Sequence, residues 1–431
     1  MKLNNLPPQL TWDLSHEDRQ NYLKKLLLEQ INWVTRNVPF YEDLRLDLDS
    51  FDKMPLGEIL LELPVINKQD IKNRNTDFLS KRELPGNWTK TGGSTGEPVE
   101  IFQDKEKIRR GKQSVAFGRG WWGLKNGQKC FYIWGHSASF VSGYKGFISK
   151  NLIPVKDFLR NRLRVNAYMM DQTSLSEYVR KILRYQPIMI IGYTSTVHML
   201  AKRYNFEGYK PDDLRNMRGI IVTADPCYPY QKEEIQEIFG APVILEYGSV
   251  EVGAVAYSHP DGTFRVLEDH FIIETLEDKS GLYKIVVTDL SSRFQPFIRY
   301  SMDDFCDNPI ANVPGIGYRS IGNITGRRLD AIVGCNGELL HGVYLSHMVN
   351  IQYPEVLRYR FYQDIEGYIT LEVQLSENSE KNINSENMII NNLAAELGHN
   401  IDVGIKYVED FPQTPSGKFR WVVSEKYQSI M

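Results

Sequence analysis

Three short apolar stretches indicate the fold class of this chain: PIMIIGYTS (187–195), GIIVTADP (219–226) and PVILEYGS (242–249). Two segments with the apolar periodicity of a helix separate them, STVHMLAKRY (195–204) and YQKEEIQEIFG (230–240). Strands that alternate with helices in this way form a parallel sheet that helices cover on both faces. The pattern therefore predicts an α/β protein.

A third helix is predicted immediately before the first of these strands. Ser174 and Glu177 have the spacing of a capping box, and apolar residues then recur at helical spacing. Pro187 cannot continue this helix, which therefore stops before it. Gly240 is predicted to end the helix 230–240, because glycine tolerates the left-handed backbone found at helix ends.

The pattern changes after residue 250. Strand-like runs separated by turns, TFRVLEDHFIIETL (263–276), GLYKIVVTDL (281–290) and FQPFIRYSMDDF (294–305), predict a more antiparallel, barrel-like section. The stretch ITGRRLD (324–330) interrupts them, and short strands mixed with one helix, NMIINNLAAELG (387–398), follow.

We therefore predict two domains. Residues 1–325 form a large domain of layered, helix-covered sheets plus the barrel-like section, and residues 326–431 form a small, mobile α+β domain. The polar, low-complexity stretch SENSEKNINSEN (376–387) is predicted to be an exposed loop.

Composition excludes several classes of protein. The chain has 431 residues, 42% hydrophobic and 24% charged, and a formal net charge of −3, which gives no electrostatic case for nucleic acid or an anionic membrane. The basic run KEKIRRGK (105–112) is most simply a solvated helix face. No segment is long and apolar enough to span a membrane, and the first residues lack the apolar core of a signal peptide. We expect a cytoplasmic protein, and a homodimer is compatible with the sequence.

Polar residues gather where the predicted strands end, and a glycine-rich stretch adds a second candidate site. Ligands of parallel sheets bind beyond the carboxyl ends of the strands, which here carry GYTS (192–195), ADP (224–226) and YGSVE (247–251). The stretch TGGSTGEP (91–98) offers backbone N–H groups and hydroxyls that suit an anion such as phosphate. It is not a Walker A loop, because no Gly-Lys-Ser/Thr follows. By itself, a flexible surface turn is an equally good interpretation.

The order of the motifs along the chain resembles a known family. TGGSTGEP (91–98), EYGSVE (246–251), RYSMDDF (299–305), ITGRRLD (324–330) and PQTPSGK (412–418) occur in the order and spacing of the adenylate-forming superfamily of acyl-CoA ligases. The EDHF segment and the compact length resemble one branch, the phenylacetate–coenzyme A ligases and capsular-polysaccharide-biosynthesis proteins. The resemblance covers essentially the whole chain.

This resemblance implies ATP-dependent activation of a carboxylic acid. The acid attacks the α-phosphate of ATP to give an acyl-adenylate and pyrophosphate, and a second nucleophile then displaces AMP. The positions that match the family's ATP- and AMP-binding residues are Thr91, Ser94, Thr95, Gly96, Asp225, Tyr247, Gly248, Ser249, Asp304 and Arg327.

Roles within this set follow from the same resemblance. The loop residues from Thr91 to Gly96 would wrap the β- and γ-phosphates, and Ser249 would contact the α-phosphate region. Tyr247 would lie against adenine, and Asp304 would accept both ribose hydroxyls, with Asp303 leaving the register open by one residue. Arg327 would also touch the ribose. Asp225 stands where the family often has glutamate, and it keeps the carboxylate on a side chain that is shorter by one methylene.

Two residues carry the implied catalysis. Glu251 matches the acidic residue that helps to hold Mg²⁺, a cation that prefers oxygen ligands. Lys418, in PQTPSGK, would place a positive charge where negative charge develops between the carboxylate and the α-phosphate. Asp330 matches the hinge about which the small domain turns.

The residues of the acyl pocket are assigned by analogy with the family. By analogy, Trp134, His136 and Tyr193 line the pocket, although a lone histidine among aromatic residues is more often structural. Some relatives carry a zinc site after the YGxxE motif, but VAYSHPDG (255–262) has no cysteine, and the four cysteines form no CxxC pair, so no zinc is expected.

The acceptor stays open between coenzyme A, a carrier-protein thiol and an amine. A thiol acceptor is favoured; the alternatives are an amide ligase of polysaccharide biosynthesis and a catalytically silent nucleotide-binding homologue. A kinase or P-loop ATPase is disfavoured, because the glycine-rich stretch lacks the lysine.

Overall fold

The fold is described from a computed structural model of the chain. It describes residues 11–44, 46–91, 99–135, 155–167, 169–278, 281–313, 318–327, 331–335, 337, 339–342, 345, 348–349, 352–353, 355–376, 379–398, 401–411 and 419–429. Of residues 326, 327, 339, 341 and 428, only the backbone is described.

Helices and strands alternate along the chain. The helices are α1 (His16–Asn37), α2 (Pro39–Glu42), α3 (Leu48–Phe51), α4 (Leu56–Leu61), α5 (Lys68–Asn73), α6 (Lys105–Gly120), α7 (Gln172–Tyr185), α8 (Thr194–Phe206), α9 (Pro229–Phe239), α10 (Ile383–Leu397) and α11 (Glu425–Ser429). The strands up to the middle of the chain are β1 (Gly86–Lys90), β2 (Glu100–Asp104), β3 (Cys130–Trp134), β4 (Arg162–Asn166), β5 (Met189–Tyr193), β6 (Gly219–Thr223), β7 (Val243–Ser249), β8 (Gly253–Ser258) and β9 (Phe264–Val266). The later strands are β10 (Phe271–Glu277), β11 (Tyr283–Asp289), β12 (Tyr300–Cys306), β13 (Ser320–Ile321), β14 (Ile324–Arg327), β15 (Ala331–Val333), β16 (Leu339–His341), β17 (Val356–Gln363), β18 (Ile369–Leu375), β19 (Val403–Tyr407) and β20 (Val422–Ser424).

The chain forms two compact units, each built from two segments. The first contains residues 1–127 and 244–324, and the second contains residues 128–243 and 325–431. The chain thus enters its last segment one residue from the predicted domain boundary, but the second unit also includes the parallel strands. The division into domains 1–325 and 326–431 stays a prediction.

The first unit combines antiparallel sheets with helices. The sheet order β13-β9-β8-β7 and the order β10-β11-β12 are antiparallel, as the alternating runs after residue 250 predict. The long helix α1 packs an apolar stripe into the core, with Leu23, Leu27 and Val34 fully buried. Each such side chain contributes roughly 1.5–3 kcal/mol when it leaves water. Ser15 caps this helix by accepting a hydrogen bond from the N–H of Asp18 at 3.1 Å.

The second unit contains a parallel sheet that includes two of the three predicted strands, β5 and β6. Its order is β4-β3-β5-β6, and all three of these pairings are parallel. One face carries fully buried residues, among them Phe131, Ile190 and Ile220, which the continuous apolar runs of these strands supply. The mixed α/β fold predicted from the sequence is confirmed.

The last segment of the second unit has its own core. The sheet order β19-β18-β17-β20 packs with α10, and Phe361, Leu371 and Leu393 are fully buried there. Tyr228, which precedes α9, is buried in the same cluster, and Tyr230 packs against it. This part of the chain therefore contacts the helices of the parallel sheet within the second unit.

Three local predictions are corrected. Asp171 caps α7, because its carboxylate accepts a hydrogen bond from the N–H of Ser174 at 3.0 Å, so the helix begins before the predicted capping box. The predicted loop 376–387 ends in helix, since Asn382 caps α10. The run 105–112 is not wholly a solvated face, because Lys107 and Arg110 are buried. The helix end at Gly240 is confirmed, with φ +65°.

Candidate active site

A tyrosine and an aspartate meet at the carboxyl end of β7 in the first unit. Tyr247 lies in β7, is 9% exposed, and donates a hydrogen bond from its hydroxyl to Oδ2 of Asp304 at 3.1 Å. Asp304 lies in β12, so the antiparallel packing of this unit joins residues that are 57 positions apart in sequence. The ring of Phe264 meets the Tyr247 ring at a centroid distance of 6.4 Å. Two residues expected to bind the nucleotide are thus neighbours.

Asp303 and Asp304 differ in their surroundings although they are adjacent. The strand pairing of β11 with β12 is irregular at this point, and Asp303 has φ +57°. Asp303 is exposed, and its Oδ1 accepts a hydrogen bond from Ser301 Oγ at 3.2 Å. The carboxylate of Asp304 instead points to Tyr247.

Gly248 lies where no side chain fits. A Cβ at this position would lie 2.1 Å from the carbonyl oxygen of Gly253 and 2.7 Å from Cα of Ala254, which are backbone atoms of the paired strand. The pairing of β7 with β8 is shifted between Tyr247 and Gly248. Glycine lets the two strands approach closely at this irregularity, and this sets where the strand end and the turn after it lie.

Glu251 follows in the turn between β7 and β8. It is 6% exposed, and its Oε1 accepts a hydrogen bond from the hydroxyl of Tyr300 at 3.2 Å. Ser249 Oγ accepts from the N–H of Val252 at 3.4 Å, inside the same turn. The motif YGSVE therefore places a buried carboxylate, that of Glu251, four residues after Tyr247.

Thr91, the first residue of the glycine-rich stretch, is buried. Its N–H donates to the carbonyl of Val99 at 2.9 Å, and its hydroxyl oxygen accepts from the N–H of Val99 at 2.9 Å. Thr91 and Val99 thus join the two ends of this stretch. Ser94, Thr95 and Gly96 lie outside the described residues.

In the second unit, Asp225 binds the start of α8. Its Oδ2 accepts a hydrogen bond from Ser195 Oγ at 2.6 Å, and its carbonyl accepts from Thr194 Oγ1 at 3.1 Å. A carboxylate at a helix N-terminus is favoured by the helix dipole. Ala224, just before it, has φ +70°, a conformation that costs a residue with a Cβ roughly 1–2 kcal/mol. Asp225 thus joins the ends of β5 and β6, in a strained turn of the kind that occurs at functional sites.

Two of the residues predicted to line the acyl pocket are in contact. The rings of Trp134 and Tyr193 have a centroid distance of 4.7 Å, and Tyr193 is buried. The ring of Tyr132 stacks on Trp134 at 5.2 Å, and the guanidinium of Arg162 lies 4.3 Å from the centroid of the Tyr132 ring. The carboxyl ends of β3 and β5 therefore carry an aromatic contact, and Arg162, from the start of β4, lies over the ring of Tyr132 in the middle of β3. His136 lies outside the described residues.

The remaining predicted residues belong to the last segment. Arg327 ends β14, and only its backbone is described. Asp330 and Lys418 lie outside the described residues. The roles of all these residues stay predictions.

The sequence did not predict two residues that donate hydrogen bonds to the YGSVE turn. Gln103 Nε2 donates to the carbonyl of Val250 at 3.0 Å, and Lys107 Nζ donates to the carbonyl of Glu251. Lys107 also pairs with Asp289, at 3.1 Å between Nζ and Oδ2. The basic run 105–112 contains this lysine, but nothing in its local sequence distinguishes a buried lysine from an exposed one.

A preformed metal site would need several ligand side chains close together. The described residues contain no group of three or more His, Cys, Asp or Glu side chains that could hold a metal ion. Mg²⁺ that enters with a nucleotide needs only one or two carboxylates besides the phosphate oxygens. The buried Glu251 carboxylate, with its hydrogen bond from Tyr300, fits that lesser requirement.

Comparisons with known proteins show which chains and folds this protein is similar to. The CapK C-terminal domain family matches residues 332–425. The protein CapK of Staphylococcus aureus is 23% identical over 404 residues, which cover 92% of this chain and 87% of CapK. The crystal structure of 2-hydroxyisobutyryl-CoA ligase in the postadenylation state, in complex with R3-HIB-AMP, superposes with a TM-score of 0.76 at 16% identity and covers 100% of this chain and 96% of that one. The chain has the fold of the adenylate-forming ligases.

A second structure of this fold contains the nucleotide itself. MatB from Rhodopseudomonas palustris, with ATP bound, has a TM-score of 0.53 at 14% identity, over 79% of this chain and 67% of MatB. The resemblance predicted from the five motifs is confirmed. Among the helices that the structure describes in this adenylate-forming ligase fold, none is long and apolar enough to cross a membrane.

Proposed function

We propose that this chain is an AMP-forming carboxylate ligase. The observation that carries the proposal is the hydrogen bond from the hydroxyl of Tyr247 to Asp304 at 3.1 Å. The buried Glu251 lies four residues after Tyr247, in the same YGSVE motif. An aromatic ring suits the flat face of adenine, and a carboxylate can accept both hydroxyls of a ribose. Together with the fold, this pair favours ATP as a substrate.

The first half-reaction forms the acyl-adenylate. A carboxylate oxygen of the acid attacks the α-phosphorus of ATP, the bond to the bridging oxygen breaks, and pyrophosphate leaves. Residues Thr91, Ser94, Thr95 and Gly96 hold the β- and γ-phosphates in this proposal, and Lys418 stabilises the charge that develops at the α-phosphate. Glu251 would hold Mg²⁺, which neutralises charge on the phosphate oxygens when it is bound.

The second half-reaction transfers the acyl group to a thiol. The sulfur attacks the acyl carbon, the carbon–oxygen bond to the phosphate breaks, and AMP leaves. Coenzyme A is the acceptor we favour, because the structurally similar 2-hydroxyisobutyryl-CoA ligase is by name a coenzyme A ligase. Trp134, His136 and Tyr193 would line the acyl pocket, and the aromatic contact between Trp134 and Tyr193 favours an apolar or aryl acid. ATP and coenzyme A are cytoplasmic metabolites, so we infer a cytoplasmic enzyme.

A screen of carboxylic acids by ATP–pyrophosphate exchange tests this proposal. The wild type should exchange pyrophosphate with at least one acid, and hydroxylamine should trap the adenylate as a hydroxamate. Lys418→Ala should lose exchange and keep the wild-type melting temperature. Lys406→Ala is the matched control, since Lys406 lies in the same segment and its side chain is 63% exposed. Equal exchange by Lys418→Ala and the wild type would show that the lysine is wrongly assigned.

The same assay separates the alternatives. Coenzyme A, a phosphopantetheine carrier protein and amino sugars are offered to the preformed adenylate, and the product identifies a thiol or an amine acceptor. A wild type that binds ATP but exchanges no pyrophosphate with any acid would instead be a silent nucleotide-binding homologue.

A further inference from the structure

A buried lysine holds the turn that carries Glu251. Lys107 lies in the first turn of α6, and its side chain is 5% exposed. Its ammonium lies 3.1 Å from Oδ2 of Asp289, whose side chain is fully buried, and it donates to the backbone carbonyl of Glu251. A buried charge is costly unless it is paired and hydrogen-bonded, so this side chain has a specific structural reason to be a lysine.

A second residue on the same stretch holds the neighbouring carbonyl. Gln103 precedes Lys107 by four residues, and its Nε2 donates to the carbonyl of Val250 at 3.0 Å. Two consecutive carbonyls of the YGSVE turn are therefore hydrogen-bonded from the segment Gln103–Lys107. The hydroxyl of Tyr300 holds the carboxylate of Glu251 from the other end.

The segment that holds the turn is itself anchored. Asp104 is the N-cap of α6, because its Oδ1 accepts a hydrogen bond from the N–H of Lys107 at 3.0 Å. Its Oδ2 accepts from the N–H of Arg293 at 2.7 Å and from the N–H of Phe294 at 3.1 Å. A fixed helix start gives Lys107 little freedom, so its hydrogen bond can determine where the turn lies.

The charges around the ammonium keep its partner ionised. Burial by itself raises the pKa of Asp289, but the charges of Lys107 and His270 and the hydrogen bonds of Ser291 outweigh it, so the pKa lies below its usual value. The ring of Phe297 covers the ammonium at 5.7 Å. Replacing the lysine alone would leave a buried, unpaired carboxylate.

We propose that Lys107 is a positioning residue that sets the place of Glu251 for Mg²⁺-bound ATP. The inference rests on the proposed function, because it assigns Lys107 to the same nucleotide site. Lys107 does not touch the reacting atoms; it acts through the backbone of the turn. Loss of its hydrogen bond should displace the Glu251 carboxylate and weaken the use of Mg²⁺ with ATP.

A paired substitution separates this role from simple stability. Lys107→Met should be unstable because it leaves Asp289 unpaired, whereas Lys107→Met combined with Asp289→Asn removes both charges and should recover most of the melting temperature. The double variant should still need on the order of tenfold more Mg²⁺ for half-maximal ATP–pyrophosphate exchange, the effect expected when a hydrogen bond to a charged group is lost. Gln103→Met, which removes no charge, should shift the Mg²⁺ requirement in the same direction.

The control is Arg109→Met, on the exposed face of the same helix, which should leave the Mg²⁺ requirement unchanged. The inference is overturned if the double variant and Gln103→Met both match the wild type in their dependence on Mg²⁺ and ATP. A failure of the proposed function has a different signature, because the wild type itself would then neither exchange pyrophosphate nor bind Mg²⁺-bound ATP in a calorimeter. That result would also overturn the role of Lys107.

Discussion

The adjacent residues Asp303 and Asp304 differ in their hydrogen-bond partners and in their exposure to solvent. Asp304 accepts a hydrogen bond from Tyr247, whereas Asp303 is exposed and bonds to Ser301 two residues away. The positive φ of Asp303 suits aspartate and asparagine better than most residues. Asparagine is therefore the matched substitution at both positions.

We predict that Asp304→Asn weakens ATP binding by about tenfold or more and that Asp303→Asn changes it little. The physical reason is that an amide cannot supply the charge-assisted hydrogen bonds that a carboxylate gives to the ribose hydroxyls. Titration calorimetry with ATP measures the two dissociation constants, and equal melting temperatures would show that both variants are folded. The reverse order of the two effects would mean that the ribose contact belongs to Asp303.

The helices α8 and α9 join the parallel sheet to the last segment of the second unit. His198 of α8 is 4% exposed, and its Nε2 lies 2.5 Å from Oε2 of Glu234 in α9. One turn along α8, Lys202 donates to the carbonyl of Val356 at 3.3 Å. Tyr230 packs on the same side, with its ring 5.8 Å from the ring of His198.

These contacts predict a pH dependence of stability. Burial lowers the pKa of His198; the hydrogen bond to Glu234 opposes this effect and the charge of Lys202 adds to it. Because the folded pKa lies below the unfolded value of about 6.5, the unfolded chain binds the proton more readily. Stability from this group is therefore complete above about pH 6.5 and falls as the pH drops below that value, by at most about 1.4 kcal/mol per pH unit.

The test replaces His198 with glutamine, which keeps an N–H donor for Glu234 but does not titrate. Urea unfolding at pH 5, 6 and 7.5 should give a smaller loss of stability at acid pH for His198→Gln than for the wild type. His16→Gln, at an exposed position of α1, is the control. Parallel pH profiles for wild type and His198→Gln would contradict the prediction.

For the molecule as a whole, we predict that the last segment turns about a hinge. Lys418 and an incoming acceptor would compete for the same place at the α-phosphate, so a hinge at Asp330 would let the segment alternate between the half-reactions. Such a movement must release the buried Tyr228 and the hydrogen bond from Lys202 to Val356. Asp330 lies outside the described residues, so the hinge rests on the sequence.

Proline at this position provides the experiment, because it fixes φ and narrows the torsions of a hinge. Asp330→Pro should spare one half-reaction and damage the other by an order of magnitude or more. Single-turnover assays of adenylate formation and of acyl transfer from preformed adenylate measure the two steps separately. Equal losses in both steps, or no loss in either, would rule out a hinge here.

The fold class and several secondary-structure elements could be predicted from the sequence alone. The strand 219–223 and the helix end at Gly240 follow from local signals: continuous apolar residues between turns, and a glycine where the backbone turns left-handed. The motifs also indicate the resemblance to the adenylate-forming ligases, because their order and spacing along the chain match those of that family. These signals lie in the sequence itself, and so they can be read without the tertiary structure.

Which polar side chains are in contact, and which of them are buried, follows from the tertiary structure alone. Tyr247 meets Asp304 across 57 residues, and Lys107 is buried because Asp289 and the carbonyl of Glu251 pair with it. The sequence predicted an exposed basic run there, since the free energy that permits a buried charge depends on partners far along the chain. Burial and pairing are properties of the folded chain, and for this reason composition and periodicity could not predict them.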